Sequence, residues 1–282
     1  MNPKILVLGA GGQLGREIQH LCKDVDFEFT FVTRQYLDIT DYSKLLAFAE
    51  DLKPDWIINC AAFTNVDLAE IEKSACWATN TQGPKNIALI CAMKKIGLIH
   101  ISTDSVFSTK IPIFNEISDT TNPINEYSRS KVAGERAIID NTDDYWIIRT
   151  AWLYGKNGRN FVNSIVAKLK ARKPFDVVDD QFGQPTWTQD VAHAIFGILV
   201  SVVKPGILHI AAPNIVSRLE WARSIAKISQ NSDSLIIPSK STENELIAKR
   251  PKYSLISPSI IEGTKNSWLN PPEISLSKYF AS

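Results

Sequence analysis

The chain is short of the residues that would mark a secreted, metal-binding or membrane-spanning protein. Only four of its 282 residues are cysteine, at positions 22, 60, 76 and 91, and none forms a C-x-x-C pair. Their spacing suits neither zinc nor a haem. Three lie in apolar or helix-like stretches, where cysteine is a small core residue. A disulfide framework is not expected, and a reducing, cytoplasmic compartment is. The four histidines, His20, His100, His193 and His209, show no ligand spacing and read as packing or surface residues. No apolar run approaches the roughly 18 residues of a membrane span. The short run Ile5–Leu8 leads directly into glycines, unlike a secretory leader. One sign of charge does not dominate either: 31 basic against 30 acidic residues leave a formal charge of +1. No global field draws the chain to nucleic acid or to an anionic membrane, although a local basic pocket is allowed.

What is present is ordinary globular composition, 44% hydrophobic and 22% charged. The length suits two domains or one large α/β unit. Lys4–Leu8 is a branched apolar run that reads as a strand buried on both faces. Gly9-Ala-Gly-Gly12 follows, then helical spacing over Leu14–Leu21. Phe27–Thr33, Trp56–Asn59, Gly97–Ser102 and Tyr145–Arg149 read as further strands. Asp41–Leu52, Ser74–Lys95 (broken or kinked at Gly83-Pro84) and Ser128–Asn141 read as the helices between them. This alternation predicts a doubly wound parallel sheet whose ligand lies at the carboxyl ends of the strands. Beyond about residue 155 the rhythm loosens. Helices are expected over Phe161–Ala171, Asp190–Val202 and Leu219–Ser229, and a strand over Gly206–Ala211. Ser229–Ser241 reads as a loop around Leu235–Ile237. The expected division is a dinucleotide-binding domain over 1–155 and a smaller, mainly substrate-binding domain over 156–282, with some segments returning to the first.

Gly9, Gly12 and Gly15 follow a buried strand and open a helix. Glycine there lets the backbone turn tightly and approach a pyrophosphate, and the helix N-terminus offers free N–H groups. A plain tight turn is the alternative. After the second strand the chain has Thr33-Arg34 where an acidic residue would favour NAD. Arg34 could meet the 2′-phosphate of NADP, or be an exposed surface arginine. The expected cofactor is NADPH, with NADH the alternative.

Tyr127 and Lys131 lie at i and i+4 on one helix face. A neighbouring ammonium should lower the phenol's pKa and let Tyr127 pass a proton to a carbonyl. Thr103, at a strand's carboxyl end, could hydrogen-bond the same carbonyl, or be a turn cap.

Gly9…Gly15, Asn59-Cys-Ala-Ala62, Ser102-Thr-Asp104 and Tyr127…Lys131 together resemble the extended short-chain dehydrogenase/reductase superfamily. Gly12-Gln-Leu-Gly-Arg16, Leu37-Asp-Ile-Thr40, Ala62–Asp67, Ala69-Glu70, Arg149–Gly155, Asp179–Thr186 and Arg250-Pro251 are similar to the dTDP-4-dehydrorhamnose reductase family. The resemblance runs from residue 4 to about 255. It implies a Rossmann-type fold and NAD(P)H-dependent reduction of dTDP-4-dehydro-β-L-rhamnose to dTDP-β-L-rhamnose. It also implies roles. Tyr127 would be the proton donor, Lys131 would hold the nicotinamide ribose and tune Tyr127, and Thr103 would assist. Gly12, Gln13 and Leu14 would line the pyrophosphate, and Asp38 and Ile39 the adenine. Ala61, Ala62, Phe63 and Thr64 would line the cofactor's inner end. Asp104 and Trp152 would touch the sugar, Trp152 offering a flat apolar face, and Arg250 would meet the diphosphate.

The chain departs from that family's pattern at three places. Ser105 stands where the family has tyrosine, Ser128 where it has glycine, and Tyr253 where it has asparagine. These leave the hydride machinery intact and bear on the choice of sugar. Some relatives hold magnesium through glutamates at a dimer interface; Glu17 matches one such position but Gln189 stands at another, so no metal is expected. A homodimer is left open. Three other functions remain alternatives: a reductase of another 4-keto-6-deoxy sugar nucleotide, an epimerase or dehydratase, and a non-catalytic binding subunit. Dehydratases carry an acidic pair where this chain has Asp104-Ser105, and a binding subunit would not need both Tyr127 and Lys131.

Overall fold

A computed structural model describes residues 2–200, 203–243, 247–259 and 269–282. The chain begins with β1 (Lys4–Leu8), α1 (Gln13–Leu21), β2 (Glu28–Val32), α2 (Tyr42–Leu52) and β3 (Trp56–Asn59). It continues with α3 (Val66–Ile71), α4 (Lys73–Trp77), α5 (Gly83–Lys94), β4 (Gly97–Thr103), α6 (Glu126–Ile139) and β5 (Tyr145–Thr150). Then come β6 (Leu153–Tyr154), α7 (Phe161–Lys170), β7 (Phe175–Val178), β8 (Phe182–Gly183), β9 (Thr186–Trp187) and α8 (Thr188–Val200). The last described elements are β10 (Gly206–His209), β11 (Val216–Ser217), α9 (Arg218–Ile228), β12 (Ile236–Ser239) and α10 (Pro272–Ala281).

Six strands in the order β2-β1-β3-β4-β5-β10 form one sheet, parallel throughout. The chain leaves β1 toward β2, then returns to the other side of β1 with β3. The strand order therefore reverses between β1 and β3, where a ligand crevice opens at the carboxyl ends. Alternation along β1 explains the two covered faces. Ile5 and Val7 pack with α1 and α8 residues such as Ile18 and Val191. Leu6 and Leu8 pack with Leu45, Ile87 and Ile138 from α2, α5 and α6.

A separate core gathers Tyr154, Ile165, Trp187, Trp221, Ile225 and Leu276 from α7, α9, α10 and the short strands. It sits in the C-terminal half. The segment from Thr188 to His209 lies in the large sheet's layers instead, as α8 against α1 and β10 beside β5. The last two residues expected of that helix, 201 and 202, lie outside the described residues.

Several elements differ from the sequence expectations, among them α3 and the short strands β6 to β9 and β11, which were not expected. The irregularity of the Ser74–Lys95 segment is a π-helical turn over Ala78–Gln82, ahead of Gly83-Pro84. Pro84 sits in the first turn of α5, where its missing N–H costs nothing. Within the expected loop, Ile236–Ser239 forms β12, paired parallel with β7. Helix α10 was not anticipated at all.

Among the described residues no helix is long and apolar enough to cross a membrane.

Candidate active site

The first wall of the crevice is the turn from β1 into α1. Gly9 has φ +76°, and a Cβ on it would lie 2.5 Å from Ala61 N, so β1 and the strand-end of β3 meet through a missing side chain. Gly12 N–H donates to Gly9 O at 3.0 Å. A Cβ on Gly15 would lie 2.7 Å from Gly9 O and from Ala10 Cα. Gly12 caps α1 without a side chain, so no side chain takes the first N–H groups of the helix. This is a cradle fitted to a pyrophosphate. Gln13 is gripped from across the crevice. Its amide donates to Arg159 O at 3.3 Å, and its Oε1 accepts from Asn160 at 2.9 Å.

The second wall follows β3. Asn80, fully buried in the π-helical turn, accepts from Phe63 N–H at 2.8 Å and donates to Phe63 O and Ser130 Oγ, each at 3.0 Å. Ser130 donates in turn to Tyr127 O at 2.7 Å. One amide thus ties the Ala61–Thr64 loop to the helix that carries Tyr127. Helix α6 starts at Asn125, whose Oδ1 accepts from Ser128 N–H at 2.8 Å and whose amide donates to Lys249 O at 2.9 Å.

A cavity of about 510 Å³ joins these parts. Gly12, Gln13, Leu14, Ala62 and Thr64 line one end; Thr103, Asp104, Tyr127, Lys131 and Trp152 line the other. The expected pyrophosphate turn and the expected catalytic side chains therefore share one crevice. Arg34 lies apart, exposed at the carboxyl end of β2, with Nε 3.1 Å from Asp38 Oδ2. Ile39 is a core residue whose side chain packs against Gly83 and whose carbonyl accepts from Asn86 at 3.0 Å.

The electrostatics differ from the expectation in one respect. Burial pushes the Tyr127 phenol up to about 12, with the Thr103 hydroxyl opposing the shift. Lys131 does not lower it, because Nζ is engaged elsewhere. It donates to Ile101 O at 2.7 Å and lies 3.1 Å from His100 Nε2. Burial brings Lys131 down to about 8. Thr103 donates to Asp104 Oδ1 at 3.0 Å and accepts from Ser105 N–H at 3.1 Å. Its proton must turn away from Asp104 before it can serve a carbonyl. Asp104 also accepts from Ser254 at 2.6 Å, and burial raises its carboxyl to about 6.

On the sugar side, Trp152 adopts φ +40°, a strained backbone for a bulky residue. Its ring edge abuts Gly183, where any Cβ would clash. The Arg218 guanidinium lies 3.5 Å over the Trp152 ring and 4.8 Å from the centre of the Phe161 ring. One face of Trp152 is therefore cationic rather than bare, and sequence reasoning missed Arg218. Arg250 forms a two-pronged pair with Asp67, at 2.9 and 3.2 Å. The departures at 105 and 128 are coupled: Ser105 Oγ and Ser128 Oγ lie 2.6 Å apart. Tyr253 stacks on Phe182 with ring centres 4.9 Å apart. Among the described residues no cluster of three or more His, Cys, Asp or Glu is placed to hold a metal ion. Glu17 accepts from Thr188 at 2.8 Å within the chain.

The RmlD substrate binding domain family matches residues 3–279. The chain belongs to that family. It is 37% identical to the dTDP-4-keto-6-deoxy-D-glucose reductase of Streptomyces niveus, over 91% of this chain and 89% of that one. It is also 37% identical to the dTDP-4-dehydrorhamnose reductase of Mycolicibacterium smegmatis, over 91% of this chain and 79% of the relative. In structure it resembles the dTDP-4-dehydrorhamnose reductase of Bacillus anthracis in complex with NADP, with TM-score 0.95 and 31% identity, covering 100% of this chain and 99% of that one. The RmlD match spans both the large sheet and the C-terminal core, so the whole crevice lies inside the family region.

Proposed function

We propose that this chain is an NADPH-dependent reductase of the 4-keto group of dTDP-4-dehydro-β-L-rhamnose, giving dTDP-β-L-rhamnose. The observation that carries the reading is the shared crevice: the side-chain-free helix start and the Tyr127–Lys131 pair open into one cavity. The family membership and the two kinds of reductase among the relatives support the sugar class. The NADP complex of the Bacillus anthracis relative supports the cofactor. The residues present fit that cofactor, since the Gly9–Gly15 turn leaves room and free N–H groups for a pyrophosphate.

When bound, NADPH supplies the hydride. The chain supplies the proton and the geometry. Tyr127 keeps its proton at neutral pH, as an acid for reduction must, and donates it to the sugar's C4 oxygen. The Thr103 hydroxyl lies beside the Tyr127 phenol, where it opposes the rise in the phenol's pKa. Trp152, stiffened by its backbone and by Arg218, forms the wall for the deoxysugar ring. Arg218 and Arg250 are the cations on that side for the diphosphate. Arg250 is paired with Asp67, and Arg218 faces the Asp104 carboxyl. Arg34, exposed at the end of β2 and paired with Asp38, would meet the 2′-phosphate.

The test is NADPH oxidation with freshly prepared dTDP-4-dehydrorhamnose, for the wild type and Tyr127→Phe. The expected outcome is turnover in the wild type and a loss of roughly 10²–10⁴-fold in the variant. NADPH binding without turnover in the wild type would sink the sugar assignment. Turnover that survives in Tyr127→Phe would sink the role of Tyr127.

A further inference from the structure

The segment that grips the Gln13 side chain is the link between β6 and α7, residues 155–160. Its backbone is fixed at several points. Asn160 Oδ1 accepts from Asn163 N–H at 2.9 Å, which starts α7, and the Asn160 amide donates to Gly155 O at 2.8 Å. The Asn163 amide donates to Gly158 O at 3.1 Å. Gly158 has φ +79°, and a Cβ on it would lie 2.8 Å from Gln13 Cγ. The link is therefore seated on the start of α1. Nothing in that seating uses the side chain of residue 159.

Arg159 lines the same cavity as Gly11, Gly12 and Gln13. Three of the lining residues are charged, and the other two, Asp104 and Lys131, stand at the far end beside Tyr127. Arg159 is exposed, and among the described residues its guanidinium has no hydrogen bond, ion pair or ring contact. Two neighbouring cations are occupied. Arg16 Nε donates to Gly11 O at 3.0 Å, and Lys156 Nζ lies 4.7 Å from the centre of the Tyr279 ring. Neither lines the cavity. The first turn of α1 holds no acidic side chain that would pair with an arginine there. A pyrophosphate carries a negative charge on each phosphate, whereas a helix start offsets only about half of one charge. A guanidinium adds a full charge and can hold phosphate oxygens two at a time.

We propose that Arg159 is a cofactor-binding residue whose guanidinium meets the pyrophosphate of the dinucleotide. The proposal rests on the reading of the crevice as a dinucleotide site. The pyrophosphate is common to NADPH and NADH, so Arg159 adds affinity for both and selects neither. Arg34, which that reading gives to the 2′-phosphate, acts on NADPH alone. Arg159 also comes from the link into α7, a helix of the C-terminal core, while the glycine turn belongs to the large sheet. The cofactor is thereby held by both parts of the molecule.

The experiment is calorimetric titration of the full chain with NADPH and with NADH, in the absence of sugar, for the wild type, Arg159→Gln and Arg34→Gln. Both arginines are exposed, so the substitutions leave the fold intact. Arg159→Gln should weaken NADPH and NADH alike, by about tenfold each. Arg34→Gln should weaken NADPH and leave NADH unchanged. Added salt should erode NADH affinity more steeply in the wild type than in Arg159→Gln, because one charge contact has been removed. Unchanged affinity in Arg159→Gln overturns the proposal. A loss confined to NADPH also overturns it, since Arg159 would then face the 2′-phosphate. Equal salt dependence in the two proteins overturns it as well. A wild type that binds neither cofactor would instead sink the dinucleotide reading itself.

Discussion

Gly9 and Gly11 stand one residue apart in the same turn and carry different loads. Gly9 combines a left-handed backbone with a backbone neighbour where its Cβ would be. Gly11 has only the Thr33 methyl at 3.7 Å, an ordinary contact. Gly9→Ala should therefore cost about 3 kcal/mol, from the conformational penalty together with the forced separation of β1 from Ala61. Gly11→Ala should be neutral within about 0.5 kcal/mol. Urea unfolding of both variants checks this, and equal costs would show that the turn is not shaped as described. Residue-scale chemistry also explains the coupled departures. A serine at 105 and a serine at 128 satisfy each other, so neither leaves a buried hydroxyl unpaired.

Elements place the site, and Asn80 shows how. Its π-helical turn brings one amide to the loop after β3 and to Ser130 of α6. Asn80→Ala leaves Phe63 N–H and C=O without their buried partner. It should cost about 3 kcal/mol of stability and weaken NADPH binding about tenfold, because the Ala61–Thr64 loop loses its tether. Calorimetric melting with NADPH titration checks both, and a stability loss with unchanged affinity would detach the loop from the cofactor. The central strands of the large sheet were legible because they are apolar runs buried on both faces, as in Ile5–Leu8 and Trp56–Asn59. So was the crevice, because glycines at a strand end and a Tyr–Lys pair on a helix are local patterns. Asn80 and Arg218 were not legible. Their roles arise from contacts with residues 17 to 66 positions away, which no local pattern encodes. Helix α10 escaped because Pro271-Pro272 looks like a breaker, yet Pro272 sits at the first helical position where its missing N–H is harmless. Strand β12 escaped because its partner β7 is distant in sequence and neither is apolar enough alone.

At the scale of the whole molecule, the two cores are joined by a buried carboxylate. Asp190, in α8 of the sheet layer, accepts from Ser275 of α10 at 2.8 Å. Burial raises its carboxyl to about 6, with Ser275 and Lys278 opposing the shift. In the unfolded chain the same group titrates near 3.8. Between these values the folded protein binds more protons than the unfolded one. The contribution of Asp190 therefore improves as pH falls from 7 toward 4, and above 6 the full penalty of a buried charge applies. A gap of about two pH units corresponds to about 3 kcal/mol. Asp190→Asn keeps an oxygen to accept from Ser275 and carries no charge. It should be more stable than the wild type by up to about 3 kcal/mol near pH 7.5, and the advantage should vanish near pH 4. The difference between the two proteins isolates this group from the buried His209, which burial depresses to about 4 and which acts in the opposite sense over the same range. Urea unfolding at several pH values checks it. A difference that does not change with pH would mean that Asp190 holds the two cores together as an ion rather than as an acid. Its partner would then be Lys278 of α10, whose charge already opposes the shift.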